Sequence, residues 1–305
     1  MKDIVPPVDK DVLLSELTED KFMRYTNYGS NSIYVCTAHN CPNVMKEIGR
    51  LRELTFRNAG GGTGKETDID QYDTAEIPYQ QLIVWNNKEN EILGGYRFIN
   101  LNNIPVHQHS GLKLATQGLL EFSDKFINDY LPYTIELGRS FVRPEMQSSN
   151  SGRKTLFALD NLWDGLGALI KHNPNVKYFF GKVTMYTHFE KFSRDLILYF
   201  LNHHFKDDEH LVYPTLPLGY HHPKKELAKY FEGHDFNENK KILSKKVRAR
   251  GENIPPLINS YMSLSETMKC FGTSINTHFG GVEETGILVT VDDIYESKKK
   301  RHLQF

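Results

Sequence analysis

The chain has 305 residues, 39% of them hydrophobic and 25% charged, with a net charge of −1. That length supports one large domain with an appendage, or two domains, and so balanced a charge selects neither nucleic acid nor an anionic membrane surface as a partner. No apolar run approaches the roughly 18 residues of a spanning helix, MKDIVPPVDKD lacks the apolar core of a signal peptide, and three cysteines (Cys36, Cys41, Cys270) make neither a disulfide framework nor a zinc set, so a reducing cytoplasm is expected.

In chain order, residues 1–30 read as an irregular arm with a short helix near LLSEL, and SIYVCTA (32–38) as a strand. Pro42 suits the first turn of a helix in which Val44, Ile48, Leu51 and Leu54 recur at helical spacing. That helix carries Arg52 and Phe56 and runs into the stretch AGGGTGKETDIDQYD, which delivers Asp68, Asp70, Tyr72 and Asp73 within six residues. Like charges this close cost stability unless cations, backbone N–H groups or a substrate compensate, which marks a site rather than a scaffold. The glycines are not a nucleotide-binding P-loop: Ala59 stands where its first glycine belongs and Glu66 where its Ser/Thr belongs. They read as a flexible connection that lets the acidic turn fold back or close over a ligand.

QLIVWN (81–86) and EILGGYRFI (91–99), joined by NKEN, form a hairpin pattern. Residues 118–131 look helical, TIELGRSFV (134–142) is a strand, and a helical apolar stripe starts at Lys154. KYFFGKVTMY (177–186) is a strand, followed by an amphipathic helix marked by Phe189, Phe192, Leu196 and Phe200. Such alternation predicts an α/β chain with a mixed sheet flanked by helices. Residues 203–253 read as a His/Lys-rich insertion with the basic run 240–250. Residues 254–270 open with Pro-Pro and turn helical, GILVTVDDI (286–294) is the closing strand, and SKKKR (297–301) is a solvated tail. The expected organisation is an arm (1–30), a core (31–202), a lobe (203–253) and a C-terminal helix–strand unit (254–305). Thirteen histidines show no metal-ligand spacing, so no metal is expected.

Four features together resemble a family: Arg52 and Phe56 on the first helix, the D-x-D-x-Y-D turn (68–73), Gly94-Gly95-Tyr96-Arg97, and Glu136-Leu137-Gly138-Arg139-Ser140-Phe141-Val142. This set is similar to the GNAT-related acyltransferases that include acyl-homoserine-lactone synthases. LPYTIELGRSFVRPEMQ (131–147), KYFFGKV (177–183) and IPPLINSYMSL with THF (254–279) bring it closer to the ornithine-lipid and glycine-lipid N-acyltransferases, often labelled hemolysin-like. The resemblance covers roughly residues 32–295. It departs at Asn276-Thr277-His278, where those enzymes often carry an Asp, so a role for that carboxylate does not transfer.

The resemblance implies a GNAT fold with a helical C-terminal insertion. It also implies transfer of a fatty acyl group, 3-hydroxyacyl among the options, to the α-amine of an amino acid, giving a lyso aminolipid. An amino-acid ammonium must lose a proton before it attacks a thioester, and Glu136, on a strand beside apolar neighbours, is the candidate base. Arg97 and Arg139 clamp the acceptor carboxylate bidentately, or neutralise Asp68, Asp70 and Asp73, or do both if that network builds the acceptor pocket, with Arg52 paired to the same turn. Asp70 and Asp73 equally suit the substrate ammonium. The backbone near Phe141 and Val142 is the implied seat of the thioester carbonyl and pantetheine, with Phe56, Arg143 and Arg153 beside it. Acetyl-CoA-dependent enzymes of this fold carry Q/R-x-x-G-x-G/A to grip pyrophosphate. Here the stretch is Gln147-Ser-Ser-Asn-Ser-Gly152-Arg153, so acyl carrier protein is the expected donor and acyl-CoA the alternative, with no bound cofactor. Arg143, Arg153 and Lys154, or the run 240–250, are candidate docking cations, and the run also suits peripheral contact at the membrane's inner face. The rival readings are an acyl-homoserine-lactone synthase, an acetyl-CoA-dependent enzyme and a non-enzymatic membrane-active protein. The sequence names neither the acceptor amino acid nor the acyl length.

Overall fold

A computed structural model describes residues 1–104, 113–146, 153–233 and 235–303, with only the backbone of 153–159. In chain order its helices are α1 (Lys10–Glu16), α2 (Pro42–Asn58), α3 (Gln71–Thr74), α4 (Arg153–His172), α5 (Lys191–His204), α6 (Lys224–Ala228), α7 (Phe236–Arg248), α8 (Pro256–Tyr261) and α9 (Glu296–His302). Its strands are β1 (Phe22–Tyr25), β2 (Ser32–Cys36), β3 (Gln80–Asn86), β4 (Glu91–Asn100), β5 (Leu120–Phe122), β6 (Thr134–Val142), β7 (Tyr178–Met185), β8 (Val212–Pro214), β9 (Lys269–Asn276) and β10 (Val282–Thr290). The chain divides into two compact units: residues 1–115, 133–176 and 296–305, and residues 116–132 and 177–295.

In the first unit β1, β2, β3, β4 and β6 pair in that order, all antiparallel. Ile33, Leu82, Val84 and Trp85 are buried on this sheet, with Val44, Ile48 and Leu51 of α2 also in the core. Each fully buried aliphatic side chain of this kind contributes about 1.5–3 kcal/mol. α2 starts at Pro42 with no side-chain cap of its own. The Glu16 carboxylate at the end of α1 accepts the Asn43 and Val44 N–H groups at 3.1 and 2.9 Å, so a neighbouring helix satisfies its orphan donors.

One extra residue separates β6 from β4 in register: Arg97 faces Gly138 and Gly95 faces Phe141. Two steps on β4 match three on β6, which is a β-bulge, and Arg139 sits in it at φ 50°. Gly94 makes the close strand approach possible, since a Cβ there would lie 2.6 Å from the Phe141 carbonyl oxygen.

In the second unit β7, β10 and β9 pair antiparallel, and β5 pairs with β8. An aromatic cluster of Phe122, Phe126, Phe180 and Phe271 fills its core, with Phe126 and Phe180 ring centroids 5.1 Å apart. Residues 118–131 therefore correct the expected helix. Leu120–Phe122 is a strand held by β8, and Phe126–Tyr130 is a single π-helical turn. Three further segments differ from expectation. β1 lies within the arm, where half-exposed alternation hid it. The helix after Pro255 ends at Tyr261, and β9 begins at Lys269. The basic tail is the helix α9, fixed by buried His302, whose Nδ1 lies 2.8 Å from Asp164. The basic run 240–250 is mostly α7, which buries Asn239, Leu243 and Val247 at helical spacing. Among the described residues no helix is long and apolar enough to cross a membrane.

Candidate active site

The acidic turn packs onto α2 because Gly49 has no side chain: a Cβ there would sit 2.6 Å from Ile69 Cγ1. The Asp68 N–H donates to the Gly49 carbonyl at 3.0 Å. Asp70 then caps α3, with its Oδ1 accepting the Tyr72 N–H at 2.9 Å while Asp73 Oδ2 accepts the Asp70 N–H at 3.1 Å.

Each carboxylate of this turn meets a guanidinium. Arg139 Nε donates to Asp68 Oδ2 at 2.8 Å, and Arg139 Nη2 lies 3.8 Å from Asp70 Oδ2. Arg97 donates to Asp70 at 2.7 Å and to Asp73 at 3.3 Å. Arg52, fully buried, donates to both Asp73 oxygens at 3.3 Å and to Gln81 Oε1. Arg97 and Arg139 are thus both ion-paired with the acids of the turn. Three acids face three arginines, so the set is close to neutral. Burial opposes the charge on Asp73, but Arg52 and then Arg97 outweigh it and hold the carboxyl down at about 2. Burial lowers the Arg52 pKa, whereas Asp73, Asp70 and Asp68 outweigh burial at Arg97 and raise it. The Nε atoms of Arg52 and Arg97 are buried without a hydrogen-bond partner among the described residues.

Glu136 is 1% exposed, on β6. The Tyr79 hydroxyl donates to its Oε2 at 2.5 Å and accepts the Ala115 N–H at 2.9 Å. The Arg97 guanidinium lies 5.2 Å from the Tyr79 ring centre and 5.4 Å from that of Tyr72, so the phenols link the acidic turn to Glu136. Tyr72 and Tyr79, with Gln71, Ala75, Glu76, Ile77 and Lys113, line a cleft of about 410 Å³. Asp70, whose side chain is one-quarter exposed, is the member of the acid set nearest solvent.

Of the residues implied for acyl binding, Phe56 and Phe141 are core side chains. The Arg143 N–H donates to the Leu93 carbonyl at 2.9 Å, so alternation turns the Val142 peptide away from β4, and the Val142 carbonyl receives Thr55 Oγ1 at 3.5 Å. Arg143 is paired with Glu91 at 2.6 Å and with Glu145 at 3.4 Å. Arg153 opens α4; its side chain and Gln147–Gly152 lie outside the described residues.

Three residues that sequence reasoning passed over belong here. Tyr79 and Gln81 stand two apart at the start of an otherwise apolar strand, and that polar alternation on one face was the available signal. Glu53 is buried on α2 and accepts from Arg57, Thr63 and Gly64, which ties down the glycine loop expected to be free. Only its position beside Arg52 marked it. Among the described residues no group of histidine, cysteine and carboxylate side chains is arranged to hold a metal ion.

Residues 51–156 match the acetyltransferase (GNAT) domain family. The chain is 56% identical over 304 residues to a glycine N(alpha)-acyltransferase of Phocaeicola vulgatus, spanning 100% of this chain and 93% of that relative. It is 57% identical over 304 residues to a glycine N(alpha)-acyltransferase of Bacteroides thetaiotaomicron, spanning 100% and 90%. Among solved structures, FeeM, an N-acyl amino acid synthase from uncultured soil microbes, aligns at TM-score 0.38 and 9% identity over 90% of this chain and 95% of its own. The expected α/β GNAT fold agrees with the family match over residues 51–156. The chain is an acyltransferase and belongs to the GNAT-related family that contains the glycine N(alpha)-acyltransferases.

Proposed function

We propose that this chain transfers a fatty acyl group from a phosphopantetheine thioester to the α-amine of glycine, giving an N-acyl amino acid. The observation that carries the acceptor is the full-length identity with two relatives named for glycine. The site supports the chemistry. The acidic turn is ion-paired with Arg52, Arg97 and Arg139, and Glu136 is a buried carboxylate that accepts a hydrogen bond from Tyr79, a residue of the cleft wall. Glu136 accepts the ammonium proton and the free amine attacks the thioester carbonyl. The C–S bond then breaks and the thiol leaves with the second amine proton. Asp70, at the exposed edge of the network, draws the ammonium, and Lys113 at the cleft draws the acceptor carboxylate. Phe141 and Val142 remain the expected backbone for the acyl carbonyl.

Acyl carrier protein is the donor favoured by Gln147–Arg153, which lacks the glycines of a pyrophosphate grip. A lyso aminolipid is then the product, made where the donor is soluble and released toward a membrane. The test is direct: purified chain, glycine and either acyl carrier protein or CoA thioester, with product mass read by mass spectrometry and ornithine, serine and lysine as competing acceptors. N-acylglycine formed by the native chain and lost in Glu136→Gln supports the reading. Absence of N-acyl product with every acceptor and both donors overturns it.

A further inference from the structure

Tyr79 stands between the cleft and the buried carboxylate. Tyr79 is one of the described residues that line the cleft, and Glu136 is not among them. The Tyr79 oxygen already donates to Glu136 Oε2 at 2.5 Å and accepts the Ala115 N–H at 2.9 Å. A phenol oxygen has two lone pairs, so one remains to accept from a group in the cleft.

We propose that Tyr79 is a catalytic residue that relays the acceptor's ammonium proton to Glu136. The inference rests on the reading of Glu136 as base for amino-acid N-acylation. In the step, an ammonium N–H bond breaks and its proton binds Tyr79 Oη, while the original phenolic proton passes to Glu136 Oε2. The phenol is regenerated, the carboxylate becomes a carboxylic acid, and the amine keeps the lone pair it needs for attack. Tyr79 begins and ends neutral. Burial, and then the adjacent Glu136, push its phenol well above the ordinary tyrosine value, which disfavours a standing tyrosinate and fits a concerted shuttle. The Ala115 N–H fixes the oxygen's position, and Arg97 beside the ring lowers the cost of transient negative charge on it.

The test compares Tyr79→Phe and Glu136→Gln with the native chain at saturating acyl donor, reading kcat/KM for glycine, donor KM, thermal melting and the rate in mixtures of light and heavy water. The relay predicts that Tyr79→Phe lowers kcat/KM for glycine by about 100-fold or more with donor KM unchanged. It also predicts that the native rate bends with deuterium fraction, as two protons in flight require. A fluorinated tyrosine at position 79 keeps the shape and both hydrogen bonds but acidifies the phenol. It serves if the phenylalanine variant does not fold, and it should change kcat/KM for glycine and its pH profile with melting unaltered. Tyr79→Phe within threefold of native overturns the relay, as does a fluorinated variant with native rate and pH profile. Full activity of Glu136→Gln removes the base and the relay with it. An inactive Glu136→Gln beside an active Tyr79→Phe removes the relay alone. A native chain that makes no N-acyl product fails at the function itself.

Discussion

Asp73 faces Arg52 and Arg97 from a position with almost no solvent, and Gln81 Nε2 adds a hydrogen bond at 3.0 Å. Replacing it by Asn leaves two buried guanidiniums without their shared carboxylate, a change that costs about 3–5 kcal/mol in comparable buried pairs. Asp73→Asn should therefore lower the urea midpoint at pH 7 by a matching amount, and a midpoint equal to native would show that the network adds nothing to stability. The pH dependence has a definite sign. The folded carboxyl titrates at about 2, below the roughly 3.9 of an unfolded Asp. Its contribution is present above about pH 4 and is lost as pH falls toward 2. Native stability should drop across that window more steeply than that of Asp73→Asn. Lys113 makes a separate case at the cleft, with no ion pair among the described residues. If it meets the acceptor carboxylate, Lys113→Ala should raise KM for glycine several-fold and leave kcat unchanged, because the interaction is equal in ground and transition states.

The bulge in β6 is where the element decides what single residues can do. Strict alternation puts Glu136 and Arg139 on opposite faces, so the sequence offered no simple pairing between them. The extra residue at Arg139 re-aims the guanidinium toward Asp68 and Asp70, while Glu136, before the bulge, faces Tyr79. The acidic turn and the strand that bears Glu136 were thus readable from spacing, while the resemblance to a family singled out Arg97 and Arg139. Which arginine meets which acid was not readable, because a bulge is a tertiary compromise between β4 and β6 with no one-residue signature. Tyr79 and Glu53 escaped for the same reason: their importance lies in partners 57 and 10 residues away. Gly94→Ala tests the element. The added Cβ would stand 2.6 Å from the Phe141 carbonyl and 3.3 Å from Val142 Cα, both backbone, so the strands must part. A loss of about 1–3 kcal/mol is expected, with a fall in kcat beyond what melting explains. An active variant of native stability would show that the bulge geometry tolerates the shift.

Charge over the whole chain sums to −1, so any attraction for a charged donor must come from local arrangement. Arg143, near the expected thioester by sequence, is engaged by Glu91 and Glu145. α7 differs. Its buried residues lie on one side, and Lys241, Lys245 and Arg248 line a groove of about 850 Å³ with no ion pair among the described residues. Cations at a helix C-terminus gain from the helix dipole, which explains Lys245 and Arg248 without a partner; Lys241, an (i, i+4) like-charge neighbour of Lys245, gains nothing that way. No large apolar side chain is exposed on this helix, so it lacks what an interfacial helix inserts into lipid. If the proposed donor is an acidic carrier protein, this face offers it cations. Reversing the three charges (Lys241→Glu, Lys245→Glu, Arg248→Glu) should raise KM for an acyl carrier protein thioester by about tenfold at low salt and flatten its salt dependence. KM for the same acyl group on CoA should stay put, since that donor needs no protein docking surface. An equal rise for both donors would place the effect in folding or chemistry, and no rise for either would return α7 to being a solvated face.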